Sequence, residues 1–188
     1  MEKVLAAWLL LAVGSASTVG PTESVQAAVT QIVRVVQDPG LAQPAAAERR
    51  RVEIRRLARH YFDFREMARR SLAKHWSDRT SQEREEFVQL FSGLLERSYL
   101  LSLENYSGEP IVYTGETVNG EFATVRSKIV GRRAEMPIDY RLHRIDSRWA
   151  VYDVLIEGVS LVSTYRSQFD RVIRASSYAA LLEKLRVE

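Results

Sequence analysis

The 188 residues predict an α+β fold in which an antiparallel sheet of four strands is packed by helices. Three observations carry that expectation. Two hairpins follow one another between Pro110 and Ile156, each built of alternating apolar and polar residues around a tight turn. Helical periodicity dominates Ser24 to Tyr106 and resumes after Gly158. Paired in register, the strands also present one face that is almost wholly apolar, and an antiparallel sheet with such a face must be covered.

The chain opens with MEKVLAAWLLLAVGSAS, where Lys3, a run of ten apolar residues from Val4 to Val13 and then small residues predict a secretory signal peptide over residues 1–17. Ten apolar residues fall short of a membrane span. Residues 18–188 are expected to form one domain, helical from about 22 to 106 and holding the sheet and C-terminal helices from about 107 to 188. Val25, Ala28, Val29, Ile32, Val33 and Val36 recur at helical spacing until Asp38-Pro39-Gly40 ends the pattern. After a linker containing Pro44, ERRRVEIRRLARHYF carries a narrower stripe of Val52, Ile54, Leu57, Ala58 and Tyr61, with its arginines on a solvated face. Asp63 is placed to cap a helix with Glu66 as its third residue, and Phe62 to staple onto Met67; Leu72 and Trp76 anchor that helix in the core. Thr80 and Glu83 make a second capping box. Phe87, Leu90, Phe91, Leu94, Leu95 and Tyr99 then line the longest helix, and this aromatic and leucine face is expected to cover the sheet.

Asn119-Gly120 predicts a type I′ turn that pairs Val118 with Glu121 and puts Val112, Thr114, Ala123, Val125 and Ile129 on one face. A loop from Gly131 to Ala134 aligns Val125 with Tyr140, Ala123 with Leu142 and Arg126 with Asp139, so one register satisfies both hydrophobicity and charge. Asp146-Ser147 turns the chain again, with Ile145 opposite Arg148, Leu142 opposite Val151, Tyr140 opposite Asp153 and Ile138 opposite Leu155. The inner face is then Val112, Val125, Ile129, Met136, Ile138, Tyr140, Leu142, Trp149, Val151 and Leu155, with Asp153 as its one charge. Parity puts Ile111, Tyr113, Tyr152, Val154 and Ile156 outside, enough apolar surface to call for a helix on that side too. Beyond Glu157-Gly158, Val162, Tyr165, Phe169, Val172 and Ile173 face inward from one helix, and Leu181, Leu182 and Leu185 from a last one.

Cysteine is absent, which excludes disulfides, lipoprotein anchoring and thiolate metal sites. The net charge of +3 is uneven, because Arg34 to Arg79 holds twelve basic and six acidic residues. Such a segment fits anionic headgroups or an acidic partner protein, and for an exported chain nucleic acid is not the expected partner. His60, His75 and His143 fall in different elements without metal-binding spacing, and neither a phosphate-cradling glycine pattern nor a nucleophile elbow is present. No metal or cofactor is therefore expected. Asp153 beside Tyr140 has two readings. One is the acid–base pair of an isomerase or dehydratase in an apolar pocket. The other is a structural acceptor for a helix-terminal amide, a tyrosine hydroxyl or an arginine such as Arg166.

In order and spacing, DFREMARRSLAKHW, EFVQLFSGLLERSYLLSLENYSG and DYRLHRIDSRWAVYDVLIEGVSLVSTYRSQF resemble the MlaC, or toluene-tolerance, family of periplasmic phospholipid-binding proteins. The resemblance covers Phe62 to Leu185. It implies that the sheet is curved, an NTF2-like cone with an added helical subdomain that encloses acyl chains. It further implies a monomer in the periplasm with no catalytic residue. Its partners would be a phospholipid ligand, an outer-membrane lipoprotein complex, and an inner-membrane ABC transporter with a membrane-anchored lipid-binding ring. A hopanoid or other lipid is the alternative cargo; an enzyme using Asp153 and Tyr140, or a solid-cored adaptor, is the alternative function. For a carrier, the residues expected to line the cavity are Phe91, Leu94, Leu95, Tyr99, Val125, Ile129, Ile138, Tyr140, Leu142, Val151, Val162, Tyr165 and Phe169.

Overall fold

The computed structural model describes residues 19–104, 106–132 and 134–187, with the side chains of 100–104 left aside. The signal peptide expected over residues 1–17 lies outside the described residues. Four helices come first: α1 (Pro21–Val36), α2 (Ala47–Tyr61), α3 (Phe64–Leu72) and α4 (Ser81–Glu104). The strands β1 (Ile111–Asn119), β2 (Phe122–Val130), β3 (Glu135–Ile145), β4 (Arg148–Ile156) and β5 (Val159–Ser160) follow, and α5 (Leu161–Ala175) and α6 (Tyr178–Val187) end the chain.

Local chemistry sets the helix starts. α1 begins on Pro21, whose missing N–H would have been unpaired in any case, and the Thr22 N–H and hydroxyl both donate to Glu116 of β1. Asp63 caps α3 by accepting from the Glu66 N–H at 2.9 Å. Both arms of the second box form: Glu83 N–H donates to Thr80 Oγ1 at 3.2 Å, and Thr80 N–H to Glu83 Oε2 at 2.8 Å. Leu72 is buried, and Trp76 packs half-buried against the same helical core.

The strands pair antiparallel in the order β1-β2-β3-β4-β5. The fifth strand, two residues long, folds back on β4 through Glu157-Gly158, where both residues have positive φ (51° and 80°). It adds one strand to the four expected. Between β2 and β3 the expected register holds throughout, with Val125 opposite Tyr140, Ala123 opposite Leu142 and Arg126 opposite Asp139. The first hairpin is shifted instead: Asn119 pairs with Phe122, so the loop is Gly120-Glu121. Only Gly120 of that loop has positive φ (58°), which is the pattern of a II′ turn rather than the I′ turn expected from Asn-Gly.

Two β-bulges break the parity expected from simple alternation. In β1 the register slips at Thr114, so Tyr113 faces inward opposite Ser127, and Val112 turns outward opposite Lys128, 42% exposed. In β4 the slip falls at Tyr152: Leu142 still opposes Val151, but Tyr140 opposes Val154, Arg141 opposes Asp153 and Ile138 opposes Ile156. Val154 and Ile156 therefore join the inner face, and Leu155 and Asp153 leave it.

Helices cover both faces of the sheet. On the inner face α1 lays Val25 and Val29 against Val125, Leu142, Trp149 and Val151. This corrects the expectation that α4 would cover it. α4 instead buries Phe87, Phe91, Leu94 and Leu95 in a second core with α3, α5 and α6, and that core meets the outer face through Tyr152. Both α1 and α4 have the apolar period a sheet cover needs; the hydrogen bonds from Thr22 to Glu116 fix α1 across the strands. Phe62-Asp63 closes part of the free edge of β4, the Asp63 N–H donating to Val151 O at 2.8 Å.

Candidate functional site

The inner face of the sheet has two unlike halves. Toward the β1–β2 turn, α1 seals Val125 and Leu142 completely (0% exposed), with Ala123, Trp149 and Val151 buried beside them. Toward the β2–β3 turn, Ile111, Tyr113, Ile129, Ile138, Tyr140, Val154 and Ile156 are all left half-buried, and Met136 is 43% exposed. Tyr113, Tyr140 and Val154 pack on the edge of the sealed core, whereas Ile111, Ile129, Met136, Ile138 and Ile156 belong to neither buried cluster among the described residues. The result is a wall of aliphatic side chains, continuous across four strands, with two phenols set into it.

Those phenols are uncharged at any ordinary pH. Desolvation, with the nearby Tyr106 second, pushes Tyr113 up to about 12. Burial raises Tyr140 further, with Tyr113 adding to it and a hydrogen bond with Ser127 opposing it. Ser127, itself buried, donates its hydroxyl to Ile138 O at 2.8 Å. The wall thus carries polar handles without charge, which suits long apolar ligands with a few oxygen atoms.

The thirteen candidate lining residues fall into three places. Ile129, Ile138 and Tyr140 lie on the open half, and Val125, Leu142 and Val151 lie on the sealed half under α1. Phe91, Leu94, Leu95, Tyr99, Val162, Tyr165 and Phe169 belong to the helical core on the far side of the sheet. There the rings of Phe91, Tyr165 and Phe169 meet at centroid distances of 5.3 to 5.6 Å, and Tyr99, hydrogen-bonded with Tyr165, is pushed up to about 12 chiefly by desolvation. Sequence reasoning left Ile111, Tyr113, Met136, Val154 and Ile156 out of the lining. One signal was available for the first two: Gly115 inside β1 (φ +150°) is the residue type that marks a bulge.

Residues 26–187 match the family described as MlaC protein. The chain belongs to the MlaC family. Two curated relatives agree with that assignment. One is the intermembrane phospholipid transport system binding protein MlaC of Haemophilus influenzae, 25% identical over 120 residues, which are 61% of this chain and 56% of the relative. The other is the toluene tolerance protein ttg2D of Pseudomonas putida, 28% identical over 92 residues, 48% of this chain and 43% of the relative. The chain thus spans about half the length of the curated relatives it matches. Among solved structures, a phospholipid-binding protein from Ralstonia solanacearum, in complex with a phospholipid, shares the fold with a TM-score of 0.75 at 24% identity, covering 87% of this chain and 93% of that one.

In this MlaC-family fold Asp153 has a structural place. Its carboxylate accepts from Ser160 Oγ at 2.7 Å, from the Val162 N–H at the start of α5 at 3.1 Å, and from Arg141 Nη1 at 3.2 Å. The arginine is Arg141 rather than Arg166, which donates to Arg70 O. A carboxylate there satisfies an orphan N–H of the helix and opposes its positive end, so β4 and α5 are locked together. Tyr140 and Asp153 sit on opposite faces of the sheet, which leaves the structural-acceptor reading of Asp153 and removes the acid–base one. Shallow depressions of about 230 and 280 Å³ lie between α5 and α6, away from the sheet wall, and both are smaller than pockets that enclose drug-sized ligands. Among the described residues no cluster of three metal-ligating side chains occurs, and no helix is long and apolar enough to cross a membrane.

Proposed function

We propose that this chain is a periplasmic carrier that holds phospholipid acyl chains against the open half of its sheet and moves them between membranes. The observation that carries the reading is the aliphatic wall of Ile111, Ile129, Met136, Ile138 and Ile156, which no buried cluster among the described residues takes up. The phospholipid in the Ralstonia structure and the intermembrane transport named for the Haemophilus relative support it. In this reading Ile129, Ile138 and Tyr140 touch the chains directly. Val125, Leu142 and Val151 come into reach when α1 is displaced, and the seven helical residues brace the sheet from behind. The partners are an outer-membrane lipoprotein complex and an inner-membrane ABC transporter with its membrane-anchored ring.

The thermodynamics suit a carrier without catalytic groups. Two acyl chains with roughly 30 methylenes at about 0.8 kcal/mol each are costly to expose to water. A donor membrane hides the same methylenes, so the net change on loading is small, and direction is set by the partners. Native mass spectrometry of the exported protein, purified without detergent, tests the reading. Adducts of phospholipid mass, identified by extraction of the same sample, are the expected result, and hopanoid masses would reassign the cargo. A bare polypeptide that stays bare after incubation with liposomes would overturn it.

A further inference from the structure

The cationic excess of the molecule sits on one helix. α2, AERRRVEIRRLARHY, has six arginines and two glutamates and so carries +4, whereas the whole chain carries +3 and everything outside α2 sums to −1. Ile54 and Leu57 fix the inward face of α2, which turns Arg49, Val52, Arg56 and Arg59 outward along one stripe, all exposed. The stripe spans ten residues of rise, about 15 Å. Val52, 49% exposed, stands in its middle. Arg55 is held back by Glu96 of α4 at 2.8 Å, and Arg56 donates to Glu53 at 3.0 Å. Arg148, reaching over from β4 to donate to His60 O at 2.9 Å, adds a cation at the C-terminal end.

We propose that this face docks the protein on anionic lipid surfaces. Guanidinium groups pair with phosphate in a bidentate fashion, and a row of them on an outward helix meets a plane of headgroups without rearrangement. A single valine is too little apolar surface for insertion, so docking is electrostatic and reversible, as a protein that must leave again requires. An acidic protein is the weaker occupant. Protein partners are held by anchors seated in pockets, and the shallow depressions between α5 and α6 lie away from the stripe.

The test is co-sedimentation of the full chain with phosphatidylcholine vesicles, with and without phosphatidylglycerol, beside the variant Arg49→Gln, Arg56→Gln, Arg59→Gln. Glutamine keeps the helix propensity, and none of the three side chains reaches the sheet wall. Each arginine near an anionic surface contributes a factor of about five, so the triple variant should bind anionic vesicles at least tenfold more weakly. Binding should also fade at salt that shortens the Debye length to about 3 Å. The circular dichroism spectrum and co-purified lipid of the variant should match the parent, which separates docking from carriage. Equal binding to neutral vesicles, or undiminished binding by the variant, overturns the proposal. Binding of the parent to neither vesicle also overturns it and assigns the face to an acidic protein.

Discussion

The helical core and the open half of the sheet use the same residue types to opposite ends. In the core, Phe87, Phe91 and Leu72 are essentially inaccessible and aromatic rings meet edge to face, so these side chains are enclosed by protein. On the open half Ile129, Ile138 and Ile156 have the same chemistry without that partner. The core therefore answers for stability, and the wall keeps apolar surface for the proposed cargo. Hydrophobic character alone does not distinguish the two roles; closure by a neighbouring element does.

Paired substitutions break or sharpen this contrast, and the largest effect comes from charge. Leu142→Glu puts a carboxylate beneath α1 at a site with 0% exposure and is expected to abolish cooperative thermal unfolding, whereas Ile138→Glu on the open half should keep the fold and lose co-purified lipid. If both variants fold with unchanged lipid, the two halves are not distinct. Next comes Phe91→Ala, expected to cost about 3–5 kcal/mol in denaturant unfolding, against no more than about 1 kcal/mol for Ile138→Ala. Asp153→Asn retains the shape but weakens three contacts, and a loss of about 2 kcal/mol in unfolding free energy is expected with lipid content preserved.

The smallest effect is one of pH. Hydrogen bonds from Arg69, and then from Arg70, hold the Glu66 carboxyl down at about 2 from an ordinary 4.5. Because the folded value lies below the unfolded one, the stabilisation is complete above about 4.5 and disappears as the pH falls toward about 2. Glu66→Gln should cost about 1 kcal/mol at neutral pH, modest because Arg69 is half exposed, and nothing near pH 2. A cost independent of pH would assign the effect to packing.

Much of the fold was legible because local chemistry and pairing agreed. The caps at Asp63 and Thr80 needed only their own segments, and the β2–β3 register needed Arg126 to meet Asp139 while Val125 met Tyr140. What escaped was whatever depended on a single inserted residue or on the choice between two similar helices. Thr114 and Tyr152 each reverse the alternation beyond them, so simple alternation puts Tyr113, Val154 and Ile156 on the wrong face with pairing partners off by one residue. Periodicity marks α1 and α4 alike as amphipathic and is silent on which lies over the strands. Hence the thirteen candidate residues were all apolar structure-formers, yet only Ile129, Ile138 and Tyr140 share the open wall.

The extra residue at Tyr152 acts as a dislocation in the weave of β4. Upstream of it the odd-numbered side chains, Trp149 and Val151, look toward α1; downstream the even-numbered ones, Val154 and Ile156, take over that direction. A single phase change thus delivers Asp153 to the start of α5 and two aliphatic side chains to the wall, so the anchor and the open wall are set by one residue. Were Tyr152 to pair with Arg141 as an ordinary rung, these duties would swap at one stroke, aiming the carboxylate at the aliphatic wall and leaving the start of α5 unfastened.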